Sequence, residues 1–131
     1  MKSFRNFFDF FEKQKVLAYI FTTISSLIPH KQDVGGGDII SRMKAKGRNI
    51  LILYGSQTGT AEDFSSTLSK EAHRYEDMKA MAVDPEDIEL EDLSRLNEIE
   101  NSVLVFCVAT YGEGDPTDNL QTTHDWLNDP G

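Results

Sequence analysis

The sequence holds one cysteine, Cys107, so no internal disulfide can form and a reducing compartment is the natural setting. Cys107 lies in the apolar run Val103 to Ala109, where core packing is its expected role. Long hydrophobic runs are missing too. The most apolar stretch, Val16 to Ile28, has thirteen uncharged residues; as a helix it would cover only about 20 Å of a roughly 30 Å hydrocarbon layer. A secretory leader fits poorly, because Asp9 and Glu12 interrupt the basic start and no small-residue cleavage site follows Ile28. Basic residues are scarce beyond residue 48, with four Lys/Arg against eighteen Asp/Glu, and that acidic body excludes a nucleic-acid ligand. Neither common phosphate-loop signature is present. Gly59 is followed by Thr60 where G-x-x-x-x-G-K-[ST] needs Lys, and G-x-G-x-x-G does not occur. No metal site and no catalytic side chain is expected.

What remains is one modest core's worth of chain: 131 residues, 39% hydrophobic and 27% charged. Its formal charge of −9 is split unevenly, since residues 1–48 carry nine Lys/Arg against four Asp/Glu. Residues 1–30 read as a helical arm. Phe4, Phe7, Phe8 and Phe11 fall at i, i+3, i+4, i+7 among Lys2, Arg5, Lys13 and Lys15, the pattern of a segment resting on a lipid surface. For Val16 to Ile28, membrane-surface attachment and packing on the domain stand as equal readings. Residues 31–47, with Gln32 to Asp38 rich in glycine, read as a flexible linker, and the globular part is expected over 48–131.

Within that part, Ile50 to Leu53 is an apolar run suited to a parallel strand covered on both faces. It enters Gly55-Ser56-Gln57-Thr58-Gly59-Thr60, three hydroxyls and two glycines ahead of a helix predicted over Ala61 to Tyr75. The free N–H groups of that helix start, with the hydroxyls, would hold a phosphate without Lys or Arg. An ordinary helix cap needs only one such hydroxyl. A second strand is predicted over Lys79 to Val83, and an acidic stretch follows with Ile88, Leu90, Leu93 and Leu96 as apolar anchors. Ser102 to Ala109 is the strongest strand. It runs into Thr110-Tyr111-Gly112-Glu113-Gly114-Asp115-Pro116-Thr117-Asp118-Asn119, and a last helix is predicted over Leu120 to Asn128. Alternating strands and helices imply an α/β, doubly wound parallel sheet of flavodoxin-like order, truncated to about three strands. In that order the winding reverses between the first and third strands, the two that end in these polar loops. Tyr111 could then lie on a flat heterocycle with Gly112 close to its edge.

The segments Tyr54 to Phe64, Ala72 to Tyr75, Phe106 to Asn119 and Asp125 to Leu127 closely resemble the FMN domain of the NADPH-cytochrome P-450 reductase family, a likeness running from about Lys44 to Asn128. Other diflavin reductases are less similar in the second loop. The resemblance implies that Ser56, Gln57, Thr58, Gly59, Thr60 and Ala61 bind the FMN phosphate. It implies that Ala109, Thr110, Tyr111 and Gly112 line the isoalloxazine, with Tyr111 stacking on it. It further implies an NADPH-haemoprotein reductase that relays electrons from NADPH through FAD and FMN to cytochromes P-450 and other haem proteins, at the cytosolic face of the endoplasmic reticulum. Glu113, Asp115 and Asp118 are expected to lower the flavin potential and to guide docking to basic haem partners.

The chain departs from that family in two respects. Only three of five expected strands are present, leaving the third strand with an open edge, and the FAD- and NADPH-binding portion has no counterpart, so NADPH oxidation by this length alone is not expected. Val16 to Ile28 is short for the family's membrane span, which keeps a cytosolic location open. Two rivals stand beside the flavoprotein reading. A receiver domain needs acids where Tyr54-Gly55-Ser56 and Ala109-Thr110 stand. A redox-inactive membrane-binding or decoy fragment would be colourless and refuse FMN.

Overall fold

The computed structural model describes residues 17–22 and 38–129. The aromatic stripe at Phe4 to Phe11 and the glycine run Gly35 to Gly37 lie outside them. The main sheet contains β1 (Leu17–Thr22), β2 (Ile50–Gly55), β3 (Ala80–Val83) and β4 (Val103–Val108), in the order β1-β4-β2-β3. Helices α1 (Ile39–Ala45), α2 (Thr60–Ala72) and α3 (Gln121–Asn128) and two short strands, β5 (Thr110–Tyr111) and β6 (Asp115–Pro116), complete the described regular structure with three 3-10 segments.

Strand β2 is central and parallel to both neighbours, pairing Ile50 with Ala80 on one side and with Val103 on the other. Its side chains alternate between two separate cores, so every apolar position is buried and the run shows no polar interruption. Leu51 and Leu53 join Val83 and Phe106 under Ile39, Ile40 and Met43 of α1 and under Leu90, Leu93 and Leu96. Ile50 and Ile52 join Ala80, Val105 and Cys107 under Ala61, Leu68 and Ala72 of α2. Cys107 is fully buried, its Sγ–H donating to the Ala61 carbonyl at 3.6 Å, and burial pushes its thiol up. The acidic stretch forms a 3-10 helix over Leu90–Glu98, whose three-residue period puts Leu90, Leu93 and Leu96 on one buried face.

The parallel three-strand core and its flavodoxin-like order agree with the sequence reading; its edges and its start do not. Residues 39–45, expected within the linker, form α1, and Ile39, Ile40 and Met43 are buried. The Asp38 carboxylate caps this helix by accepting the Ser41 N–H at 2.6 Å, and that bond, with Arg95 at 3.0 Å, holds its carboxyl below the usual range. Part of the stretch expected as linker is thus packed into the core ahead of Arg48. The expected helix over Val16 to Ile28 is also corrected where it is described: Leu17–Thr22 is a strand, antiparallel to β4 from Leu17 opposite Val108 to Thr22 opposite Val103. The physical reason is the one that made an open edge a liability. The outer rim of β4 offers a row of backbone donors and acceptors, and Leu-Ala-Tyr-Ile-Phe-Thr is rich in strand-forming residues that can take them. The edge predicted to be open is thus covered. At the opposite edge α2 blunts β3, the Ser69 hydroxyl donating to the Ala80 carbonyl at 3.0 Å.

Candidate functional site

At the carboxyl end of the sheet the chain leaves β2 through Ser56 to Gly59 and leaves β4 through Ala109 to the β5–β6 hairpin. Adjacent parallel strands bring the two loops together, and the Ala109 N–H donates to the Gly55 carbonyl at 2.8 Å. Both loops turn on left-handed glycines. Gly59, at φ +91°, precedes the first turn of α2, and Gly112 (φ +57°) and Gly114 (φ +109°) close the hairpin, with the Gly114 N–H donating to the Tyr111 carbonyl at 3.1 Å.

The first loop holds all six residues expected around a phosphate. Ala61 is buried at the start of α2; Gln57, Thr58 and Thr60 are exposed; Ser56 and Gly59 lie between. The Thr58 and Thr60 hydroxyls are 3.4 Å apart. Ser56 Oγ is buried and has no hydrogen-bond partner, one of two such side-chain atoms among the described residues. In the second loop Ala109 is half-buried, while Thr110, Tyr111 and Gly112 are exposed. Tyr111 is 47% exposed, one of two large apolar side chains so presented among the described residues. Glu113, Asp115 and Asp118 are all exposed around it.

Two side chains not singled out by the sequence, Thr117 and Asn119, join the loops together with Gln57 and Asp118. The Asn119 Oδ1 accepts the Ser56 N–H at 3.0 Å and the Thr117 hydroxyl at 2.9 Å, while its Nδ2 donates to the Tyr54 carbonyl at 3.0 Å and to Asp84 Oδ1 at 3.3 Å. Gln57 and Asp118 exchange a pair of bonds, Gln57 Nε2 donating to the carboxylate at 2.8 Å and the Asp118 N–H to Gln57 Oε1 at 3.1 Å. Thr117 is fully buried against Gly55, where an added Cβ would meet its Oγ1 at 2.9 Å and Leu120 Cδ2 at 3.0 Å. Sequence distance hides most of these contacts: the polar run Thr117-Asp118-Asn119 is visible, but its partners Tyr54, Ser56 and Gln57 lie more than sixty residues away and Asp84 thirty-five from Asn119. Behind the first loop, burial and the neighbouring Glu62 and Asp84 carboxylates push the Tyr54 phenol up, so it stays neutral. Among the described residues no cluster of His, Cys, Asp and Glu could hold a metal ion, and no helix is long and apolar enough to cross a membrane.

The chain is 52% identical to NADPH-cytochrome P450 reductase of Cavia porcellus over 126 residues, which is 96% of this chain and 18% of the relative. It is 52% identical to the Homo sapiens reductase over 119 residues, 91% of this chain and 17% of the relative. Against the Salmo trutta reductase identity is 60% over 90 residues, 69% of this chain and 15% of the relative. The chain thus spans less than a fifth of the length of these relatives. A flavodoxin profile matches residues 52–131, the stretch that contains both loops, and on that match the chain belongs to the flavodoxin family.

Proposed function

We propose that this chain is the FMN-binding, electron-transfer module of a reductase of the NADPH-cytochrome P-450 type. The observation that carries the reading is the meeting of two unlike loops at one sheet end: one with a buried, unpartnered Ser56 hydroxyl at a helix start, the other with a half-exposed Tyr111. Those residues fit the group. An orphaned buried hydroxyl is costly unless a ligand satisfies it, and a phosphate oxygen is the acceptor this loop is shaped to receive. An exposed phenol beside a glycine without a Cβ gives a flat ring both a face to lie on and an edge within reach of backbone.

In this reading Ser56, Gln57, Thr58, Gly59, Thr60 and Ala61 hold the phosphate through hydroxyls and the amides at the start of α2. Ala109, Thr110, Tyr111 and Gly112 line the ring. When bound, FMN supplies one-electron transfer, and the protein's part is to orient and tune it. Glu113, Asp115 and Asp118 place negative charge near the ring, which disfavours a reduced, anionic flavin and favours approach of a basic partner surface. The partners are cytochromes P-450 and other haem proteins, reached at the cytosolic face of the endoplasmic reticulum. FAD and NADPH belong to the longer relatives and have no residues assigned here.

The test is direct. The purified chain should be yellow, or should quench FMN fluorescence on titration, and Ser56→Ala should weaken FMN more than riboflavin. A colourless chain that refuses added FMN overturns this reading in favour of a redox-inactive membrane-binding or decoy protein.

A further inference from the structure

We propose that Asn119 is a positioning residue that fixes the first loop against the second, so that a phosphate and a ring joined by one tether can be gripped together. The inference rests on the flavin reading above for its ligand, but not for its geometry. Asn119 sits three residues past the hairpin, between the half-buried Pro116 and the buried Leu120, and its four bonds reach three separate strand ends. Oδ1 takes the Ser56 N–H, the first amide of the phosphate loop. Nδ2 takes the Tyr54 carbonyl at the end of β2 and the Asp84 carboxylate just beyond β3. The Thr117 hydroxyl, donated to the same Oδ1, ties the bridge to the segment that pairs Pro116 with Thr110 in the ring loop.

A side-chain amide is the one group that does this with a single residue. It offers two acceptor lone pairs and two donors in a plane, and here all four are used. A carboxylate would keep the acceptors and lose the donors, and it would face Asp84. The Gly55 backbone must also be bare for the bridge to close, since Thr117 and Leu120 occupy the space of a Cβ there. Asn119 itself need touch neither phosphate nor ring; it sets the separation between the residues that do.

Two arms test this on the full chain. In the first, amide hydrogen exchange is followed without flavin in the wild type, Asn119→Ala and Asn119→Asp. The alanine variant should speed exchange roughly tenfold or more at the hydrogen-bonded amides of the two loops, Ser56, Ala109 and Gly114, with no change at Lys79 and Ile50 at the far end of the sheet. The aspartate variant, which keeps the acceptor for Ser56 and loses the donors to Tyr54 and Asp84, should leave the Ser56 amide protected while loosening the ends of β2 and β3. Uniform acceleration throughout, or none, would make Asn119 an ordinary stabilising contact and overturn the proposal.

In the second arm FMN and riboflavin are titrated in parallel. Asn119→Ala should weaken FMN about ten- to a hundredfold and riboflavin much less, because only FMN needs both loops in register. Equal loss for both ligands overturns the proposal. If the wild type binds neither, it is the flavin reading that fails, and the exchange arm alone decides the role of Asn119.

Discussion

Two asparagines stitch the same sheet at opposite ends, and they do it for different purposes. Asn49, entering β2, donates to the Asp77 carbonyl at 2.8 Å and accepts the Lys79 N–H at 2.8 Å, binding the starts of β2 and β3. Asn119 binds the ends of β2 and β3 and adds the Ser56 amide. Around Asn49 the groove of about 420 Å³ is lined by opposite charges, Lys44, Arg48 and Lys79 with Glu76, Asp77, Glu98 and Glu100. Several of these are already spent, Lys44 on Glu98 at 2.6 Å and Arg48 against the His73 ring. Around Asn119 the neighbours are hydroxyls, glycines and an exposed phenol. One end is lined by opposite charges, with Arg48 Nε buried and unpartnered among them, and the other presents neutral hydroxyls, with Ser56 Oγ in the same condition beside an exposed phenol. That difference in lining is what the proposed function assigns to the carboxyl end: a neutral cradle suits a phosphate ester and a flat ring better than a groove of paired charges does.

The strongest way to break the comparison is to wedge the carboxyl end open. Gly55→Val places branched carbon where Thr117 and Leu120 already sit, and overpacking of this kind costs about 3 kcal/mol. Urea unfolding should show that loss as a lower midpoint with an unchanged slope. A next-smaller effect is expected at the other end. Asn49→Ala removes two bonds to backbone groups that are partly open to water, and should cost about 1–2 kcal/mol. Its flavin affinity should stay at the wild-type value. If Asn49→Ala weakened FMN as much as Asn119→Ala, the two ends would not be functionally distinct.

How much of this was legible beforehand follows from the range of each interaction. Ile50 to Leu53 and Val103 to Val108 announced themselves because burial on both faces removes alternation, a purely local signal. The loop at Ser56 to Thr60 was legible for the same reason, with its hydroxyls and glycines adjacent in sequence. Helix α1 is legible in principle, since Ile39, Ile40 and Met43 follow a capping Asp38 at helical spacing, but the glycine run just before them is the stronger local signal, and it is one for a linker. The bridge through Asn119 was not legible, since nothing local says which backbone a loop amide will meet. Nor was β1, because its strand-forming residues say nothing of which edge they will meet, and the apolar run alone suits a helix equally.

The charged end offers a smaller effect, readable as pH dependence. Hydrogen bonds from Arg95 at 2.8 Å and Lys44 at 2.6 Å hold the Glu98 carboxyl down at about 2. A depressed carboxyl contributes stability that is present above its unfolded value, near 4.3, and lost as pH falls toward about 2. Glu98 is 33% exposed, so solvent screening reduces the contribution to about 0.5–1 kcal/mol. Thermal melts of Glu98→Gln should therefore lose less stability than wild type between pH 5 and pH 2. Burial pushes the nearby Asp92 carboxyl up, which works in the opposite sense, so Asp92→Asn should leave a steeper acid loss.

The smallest effect on stability is expected where the effect on function is most specific. Glu113 and Asp115 are exposed and flank the hairpin that carries Tyr111, whereas Asp118 is engaged by Gln57 and supports the loop. Neutralising the first two, Glu113→Gln with Asp115→Asn, should leave stability within about 0.5 kcal/mol, as surface changes away from buried features usually do. The midpoint potential of the flavin-loaded protein should rise, since two negative charges beside a ring that gains negative charge oppose its reduction. Association with a basic haem protein should lose part of its salt dependence, because fewer charges remain to be screened. A potential that does not move in the double variant would restrict these acids to docking, and a salt dependence that does not move would restrict them to the flavin. The two readouts therefore separate the two roles that one cluster of acids is proposed to serve.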